Sequence, residues 1–262
     1  MLKGFSKETR KAYLFHSERF LEKIGRGPQE ILEEEVKAYI ATLSKAFDPR
    51  TVNLAIAAIK FFLRANGKDF AISYLKRPKR LPEVLAQEEV ARMLEATQNQ
   101  KHGLVLGLLY GCGLRLSEIR DLKKEAVRPQ EGILIVRQGK GNKDRIVSLP
   151  SSILRSLQPF LAEDGFPYVF RSERGGRLHR ATIQKIVKNA SRKADIRKRV
   201  HPHTLRHSYA THLLEGGTDL RVIQRLLGHA NIQATEIYTH VSTSVIKRVV
   251  SPLDTIDSAK AP

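Results

Sequence analysis

Apolar positions in the first third of the chain recur at helical spacing. Tyr13, Phe20, Leu21 and Ile24 fall on one side of a helix that Ser6 can cap. Leu32, Val36, Tyr39, Ile40 and Leu43 form a second stripe. Asp48-Pro49 is a start signal, an N-cap acid followed by proline at the first helical position. The helix it opens runs through Val52, Ile56, Ile59, Phe62 and Leu63 to a stop near Asn66-Gly67. The pattern then breaks at Lys76-Arg77-Pro78-Lys79-Arg80-Leu81-Pro82, where two prolines and four basic residues neither continue a helix nor build a core. This stretch reads as a linker that also touches phosphates. The expected organisation is a helical domain over 1–75, a basic linker over 76–82, a second domain over 83–250 and a tail over 251–262.

The second domain reads as mostly helical with one hairpin. Leu104 to Leu109 is apolar all round, so its helix should be buried. Ile133 to Val136 and Ile146 to Leu149 are β-rich, and Gln138-Gly139-Lys140-Gly141-Asn142-Lys143-Asp144 between them is a turn sequence. A helix is expected from about Thr182 to Ala194. Another carries Leu205, Tyr209 and Leu213 on a buried stripe. A short one over Asp219 to Leu227 turns Val222, Ile223, Leu226 and Leu227 inward, and Gly228 closes it. Val245, Ile246, Val249 and Val250 suit a short amphipathic helix near the end. The fold class is therefore mainly α with a small β-hairpin or sheet. No internal repeat or low-complexity stretch interrupts it.

Composition narrows the partner. The 262 residues include 46 Lys+Arg and 27 Asp+Glu, a formal net charge of +19. That excess argues for a polyanion, most often nucleic acid. With 41% hydrophobic residues the chain can bury a core, so it is no disordered basic tail. The single cysteine, Cys112, excludes a disulfide framework and a Cys-based zinc site, and fits a reducing cytoplasm. The first residues lack an apolar signal region, and no apolar run approaches the ~20 residues of a membrane span. Residues 1–82 carry 17 basic and 9 acidic side chains, leaving +11 for the remainder. Residues 171–199 alone hold 11 basic and 2 acidic side chains. Such a run is either a solvated face or a phosphate-binding one, and its single sign in so basic a chain favours the second. Lys185 and Lys188 on its helix are then expected phosphate contacts, as are Lys76, Arg77, Lys79 and Arg80 in the linker and Lys143 and Arg145 at the hairpin.

Several polar residues stand in unusual places. Gly111-Cys112-Gly113 ends the buried helix, and Arg115 follows amid Leu114, Leu116 and Ile119. Two readings fit: an ion pair with Glu118, or a planar fork aimed at a phosphate. Lys140, between two glycines, is either a solvated turn residue or a mobile proton donor. His203 and Arg206 lie three apart on one helix and share a face, which can look out at a ligand. His203 and His207 have the four-residue spacing of a zinc helix but lack its Glu and a nearby carboxylate. His229 just beyond Gly228 is a cap or a catalyst, and Tyr238 a core residue or a nucleophile.

In this order, Arg115, Lys140, His203-x-x-Arg206, Leu226-Leu227-Gly228-His229 and Tyr238 resemble the tyrosine recombinase (phage integrase) family, and within it the Xer-type recombinases. His203-Thr204-Leu205-Arg206-His207-Ser208-Tyr209-Ala210-Thr211-His212-Leu213-Leu214 and Ile237-Tyr238-Thr239-His240-Val241 are especially close. Ala86, where the family has a Ser or Thr cap, and Ser148, in place of a proline, depart from the pattern. No room is left for an extra arm-binding domain.

The resemblance implies a two-domain C-shaped DNA clamp, with a helical core-binding (SAM-like) domain before a mixed α/β catalytic domain. It implies a site-specific recombinase, with Tyr238 as nucleophile, Arg115, Lys140, His203, Arg206 and His229 as the other catalytic residues and Glu118 in support. It implies no cofactor and no metal. The partner is double-stranded DNA with a specific core site, bound by a tetramer that exchanges its tail helices. A paralogous recombinase or an activating DNA translocase are further candidate partners. The expected setting is the cytoplasmic nucleoid, in chromosome dimer resolution and so chromosome partition at cell division. Integration or excision of a mobile element, and type IB topoisomerase-like relaxation, are alternatives with the same chemistry.

Overall fold

Ser6 caps α1 (Lys7–Ile24) by accepting the Thr9 backbone N–H at 3.1 Å, and Gly25 ends it in the left-handed conformation. The structure is a computed structural model and describes residues 4–76, 83–137, 144–162, 165–228 and 249–253. The chain separates into two compact units, Met1–Arg80 and Leu81–Pro262.

In the first unit, α2 (Glu33–Ala46) and α3 (Pro49–Ala65) follow α1. Asp48 starts α3 as its place before proline predicts, accepting the Arg50 and Thr51 N–H groups at 2.8 and 3.2 Å. Phe20, Ile31, Val36, Ile56 and Ile59 form the centre of the core and are fully buried. The chain after α3 is pinned to it by Asn53, a buried polar residue absent from the hydrophobic pattern. Its side chain donates to the Leu75 carbonyl at 2.9 Å and accepts the Leu75 N–H at 2.8 Å.

The second unit is built around α5 (Gln100–Gly111), whose residues from Leu104 onward are all buried. Before it lies α4 (Gln87–Glu95), and after it α6 (Leu116–Arg120). Ala86 supplies no capping hydroxyl; instead Glu89 accepts the Ala86 N–H at 2.8 Å and an ammonium hydrogen of Lys198 at 2.6 Å. A three-stranded antiparallel sheet follows, ordered β1 (Val127–Arg128), β2 (Ile133–Val136), β3 (Arg145–Ser148). Its register pairs Leu134 with Val147 and Val136 with Arg145. The sequence predicts β2 and β3; β1 has two residues and is too short to show alternation. Then come α7 (Ser151–Ala162), α8 (Arg180–Lys193), α9 (Pro202–Glu215) and α10 (Leu220–Leu227). α5 packs against α6, α7, α8 and α9.

Two glycines on α5 make close packing possible. A Cβ on Gly107 would stand 2.4 Å from Ile153 Cδ1 of α7. One on Gly111 would stand 3.1 Å from Leu253. Leu253 is buried there, and the Ser251 hydroxyl donates to the Gly111 carbonyl at 3.0 Å. In the single chain, therefore, residues 251–253 pack on their own unit, whereas the sequence reading sends the tail to a neighbouring protomer. Val245 and Ile246 of the expected tail helix lie outside the described residues. So do the linker from Arg77 to Pro82, with Lys79 and Arg80, and the turn 138–143. No described helix is long and apolar enough to cross a membrane.

Candidate active site

The candidate site forms around the end of α10. Asp219 caps that helix, Ile223, Leu226 and Leu227 bury its apolar side, and Gly228 closes it at φ 61°. Helix ends leave carbonyls without intrahelical partners and carry partial negative charge, which suits cations. Here three arginines take the last three carbonyls in turn. Arg145 Nε donates to Leu226 O at 2.7 Å, Arg206 Nη2 to Leu227 O, and Arg115 Nη2 to Gly228 O at 2.7 Å.

Each arginine comes from a different element. Arg115 is the N-cap of α6, where its own N–H donates to Glu118 Oε2 at 2.7 Å and its Nη1 to Glu118 Oε1 at 2.9 Å. Arg206 lies on α9, opposite the face that carries Ser208 and His212, and its Nη1 donates to Gly113 O. Arg145 opens β3. It grips Glu118 with both terminal nitrogens, at 2.7 and 2.6 Å. Gly113 makes the assembly possible: at φ 58° it brings its backbone so close that a Cβ would stand 2.5 Å from the Tyr209 ring.

The electrostatics follow from this crowding. Burial would raise the Glu118 carboxyl, but the hydrogen bonds and charge of Arg145, then those of Arg115, outweigh it and hold the group down to about 2. Arg206 is pushed down to about 9 by burial and then by Arg115 and Arg145, which leaves it cationic at neutral pH. His203 lies below its ordinary value, through desolvation first and then the positive side of His201, His207, Arg206 and Arg115. Among the described residues, Arg115 and Arg145 share the Glu118 carboxylate while Arg206 is held by the Gly113 and Leu227 carbonyls, so three guanidiniums face one carboxylate and two positive charges are in surplus.

The sequence-predicted residues can now be placed. Arg115 and Arg206 come together. Arg115 makes the ion pair with Glu118 while keeping a fifth of its side chain exposed. His203 is exposed on the first turn of α9, but Arg206 does not look outward with it: it is 4% exposed and held by backbone carbonyls. His203 and His207 have ring centroids 6.5 Å apart. Lys185 and Lys188 are exposed on α8, whose buried side is Ile183, Ile186 and Val187, and Lys76 is also exposed. Lys140, Lys143, His229 and Tyr238 lie outside the described residues.

Arg145 is a correction. Its expected place among the DNA contacts fails because its side chain is only 5% exposed and its donors go to Glu118 and Leu226. The signal was present in the alternation Arg145-Ile146-Val147-Ser148-Leu149, which puts Arg145 on the inward side with Val147 and Leu149. Gly113 and the buried Tyr209 also belong to the site and were legible only as a helix stop and a core stripe.

The chain belongs to the phage integrase family, whose model matches residues 83–244, with the family's N-terminal SAM-like domain over residues 1–69. Enzymes of this family cleave and rejoin DNA strands. The chain is 37% identical over 266 residues to the tyrosine recombinase XerA of Pyrococcus horikoshii, covering 98% of this chain and 91% of that one. It is similar to a crystal structure of XerA recombinase, with 32% identity, a TM-score of 0.55, and 98% and 94% of the two chains covered. It also shares its fold with lambda integrase, crystallised as a dimer on a COC′ core site. There the TM-score is 0.71 at 19% identity over 87% of each chain.

Proposed function

We propose that this chain is a site-specific recombinase that exchanges DNA strands through a 3′-phosphotyrosyl intermediate. The observation that carries the reading is the convergence of Arg115 and Arg206 on the end of α10, with positive charge in surplus. His229 follows directly in sequence, and Tyr238 nine residues later.

In this mechanism the Tyr238 phenol oxygen attacks a DNA phosphorus. A bond forms from that oxygen to phosphorus, and the bond from phosphorus to the 5′ oxygen breaks. Lys140 gives the departing oxygen its proton. The phenol has an ordinary pKa near ~10, so fixed positive charge favours its ionised form. Arg115 and Arg206 hold the two non-bridging oxygens and neutralise charge that grows during attack; His229 adds a hydrogen bond. His203, kept neutral by its surroundings, takes or positions the phenol proton. The phosphotyrosyl ester keeps the energy of the phosphodiester, so a 5′ hydroxyl of a second strand reverses the step without ATP.

Two cleavages on each of two duplexes make four protomers the natural unit. The dimer of lambda integrase on its core site and the Xer-type relatives support assembly on DNA. Exchange of tails between protomers would lift residues 251–253 from α5. The exposed lysines of α8, Lys76 and the basic linker supply a salt-sensitive grip on phosphates within the nucleoid. Resolution of chromosome dimers is the role most in keeping with the Xer-type relatives.

The test uses a duplex that the protein itself enriches from a random-sequence pool, nicked so that cleavage traps the intermediate. A covalent adduct, lost in Tyr238→Phe, is the expected result. Binding without an adduct in the wild type overturns the reading.

A further inference from the structure

Arg145 touches three described parts of the site, namely Glu118, the end of α10 and the strand β2. Its two terminal nitrogens span both oxygens of Glu118, and its Nε holds Leu226 O at the end of α10. Its Cδ lies 3.0 Å from where a Cβ on Gly228 would stand, so its aliphatic stem packs on the closing glycine. It is also the first residue of β3, paired with Val136, the last residue of β2. One buried side chain thus ties the hairpin base, the brace of Arg115 and the exit of α10 to a single point.

We propose that Arg145 is a positioning residue for strand cleavage, acting through Glu118 on Arg115. The inference rests on the functional reading above and names a residue that this reading leaves without a role.

The physical argument concerns competition for one carboxylate. Glu118 accepts four donors: two from Arg145, one from the Arg115 side chain and one from the Arg115 backbone. The bidentate Arg145 fork fixes the plane of the carboxylate, because two parallel N–H···O bonds leave it no rotation. Arg115 then needs only Nη1 for Glu118 and Nη2 for Gly228, and its remaining N–H groups stay available to a phosphate. Without the fork the carboxylate would rotate onto Arg115 and draw its guanidinium off the phosphate position. A lysine carries the same charge but cannot span both oxygens and Leu226 O at once. Charge is therefore separable from geometry at this position.

The experiment measures single-turnover adduct formation by the full chain on the nicked duplex, with binding followed separately. Arg145→Lys should bind DNA within about twofold of wild type and form adduct about 100-fold more slowly, the cost of misplacing a reacting group by roughly 1 Å. In an Arg115→Lys background the same change should add little, because it acts through a group already removed. Arg145→Lys at the wild-type rate, or a full additional loss in the double variant, overturns the proposal. Should Arg145→Lys fail to fold, Glu118→Gln breaks the link from its other end. It is expected to slow adduct formation to a similar degree, and an unchanged rate overturns the proposal equally. The wild-type control separates the two claims: no wild-type adduct refutes the recombinase reading itself, whereas equal rates in wild type and variant refute only the role of Arg145.

Discussion

α9 carries two buried polar clusters on opposite sides, and they are opposite in kind. On one side Ser208 accepts the Leu85 N–H at 2.9 Å and donates to the Thr204 carbonyl at 2.9 Å. One turn on, His212 Nδ1 meets the Tyr110 hydroxyl at 2.8 Å. Each of these bonds joins a neutral donor to a neutral acceptor. On the other side Arg206 is held by the Gly113 and Leu227 carbonyls, beside Arg115 and Arg145, which share the Glu118 carboxylate. Neutral, closed networks lock helices together; surplus charge in a confined site favours an anion. One helix thus divides its buried polar groups between a neutral side that holds the fold and a charged side that, in the proposed mechanism, meets a phosphate.

That division can be broken most strongly from the charged side. Arg206→Lys should lower adduct formation by roughly 100-fold or more, the scale of losing one donor aimed at developing negative charge. Site-specific binding should persist if, as proposed, exposed lysines supply most of the grip. An unchanged cleavage rate would place the catalytic charge elsewhere.

Glu118 gives the comparison a pH dependence. Its carboxyl is held at about 2 in the folded chain, against ~4.3 when unfolded. A depressed folded value contributes stability that is fully present above about pH 4.5 and is lost as pH falls through about 2. The contribution is on the order of 3 kcal/mol. Urea unfolding between pH 7 and pH 3 should show stability falling with acid, and Glu118→Gln should flatten that part of the curve. The neutral cluster predicts no such flattening for Ser208→Ala.

Gly113→Ala tests whether the charged side depends on backbone geometry. The new Cβ would clash with the Tyr209 ring at a φ that L residues rarely adopt. A loss of about 2 kcal/mol is expected in urea unfolding. Cleavage should fall as well, because Gly113 O is one of the two carbonyls that hold Arg206.

Much of this was legible in the chain. Helix caps at Ser6 and Asp48, the Gly228 stop and the stripes of α1 to α3 are local signals, and local physics decided them. Arg115 stands out because it interrupts an apolar context, and His203 and Arg206 because their spacing of three puts them on one helix face. The clamp on α10 was not legible, since it joins residues far apart: Arg115 reaches Gly228 across 113 positions, and Arg145 reaches Leu226 across 81. Charge misled at Arg145, because an arginine in a basic chain reads as a phosphate contact unless strand alternation is weighed against it. Asn53 and β1 escaped for simpler reasons: the first is a lone polar residue in an apolar stripe, the second too short to have a period.

The smallest effect belongs to the neutral side. Tyr110→Phe removes one hydroxyl and leaves the ring, so packing against α9 is kept. His212 Nδ1 then loses its partner in a site where only 6% of the residue is exposed. An unmade bond to a neutral buried group costs about 1 kcal/mol, which urea unfolding resolves. The adduct rate should stay within twofold of wild type, because no member of the Tyr110–His212 pair contacts Arg115, Arg145 or Arg206 among the described bonds. A fall in adduct rate as large as that of Arg206→Lys would mean that the two sides of α9 are coupled. The helix would then act as one lever between them, and the division of its two faces would not hold.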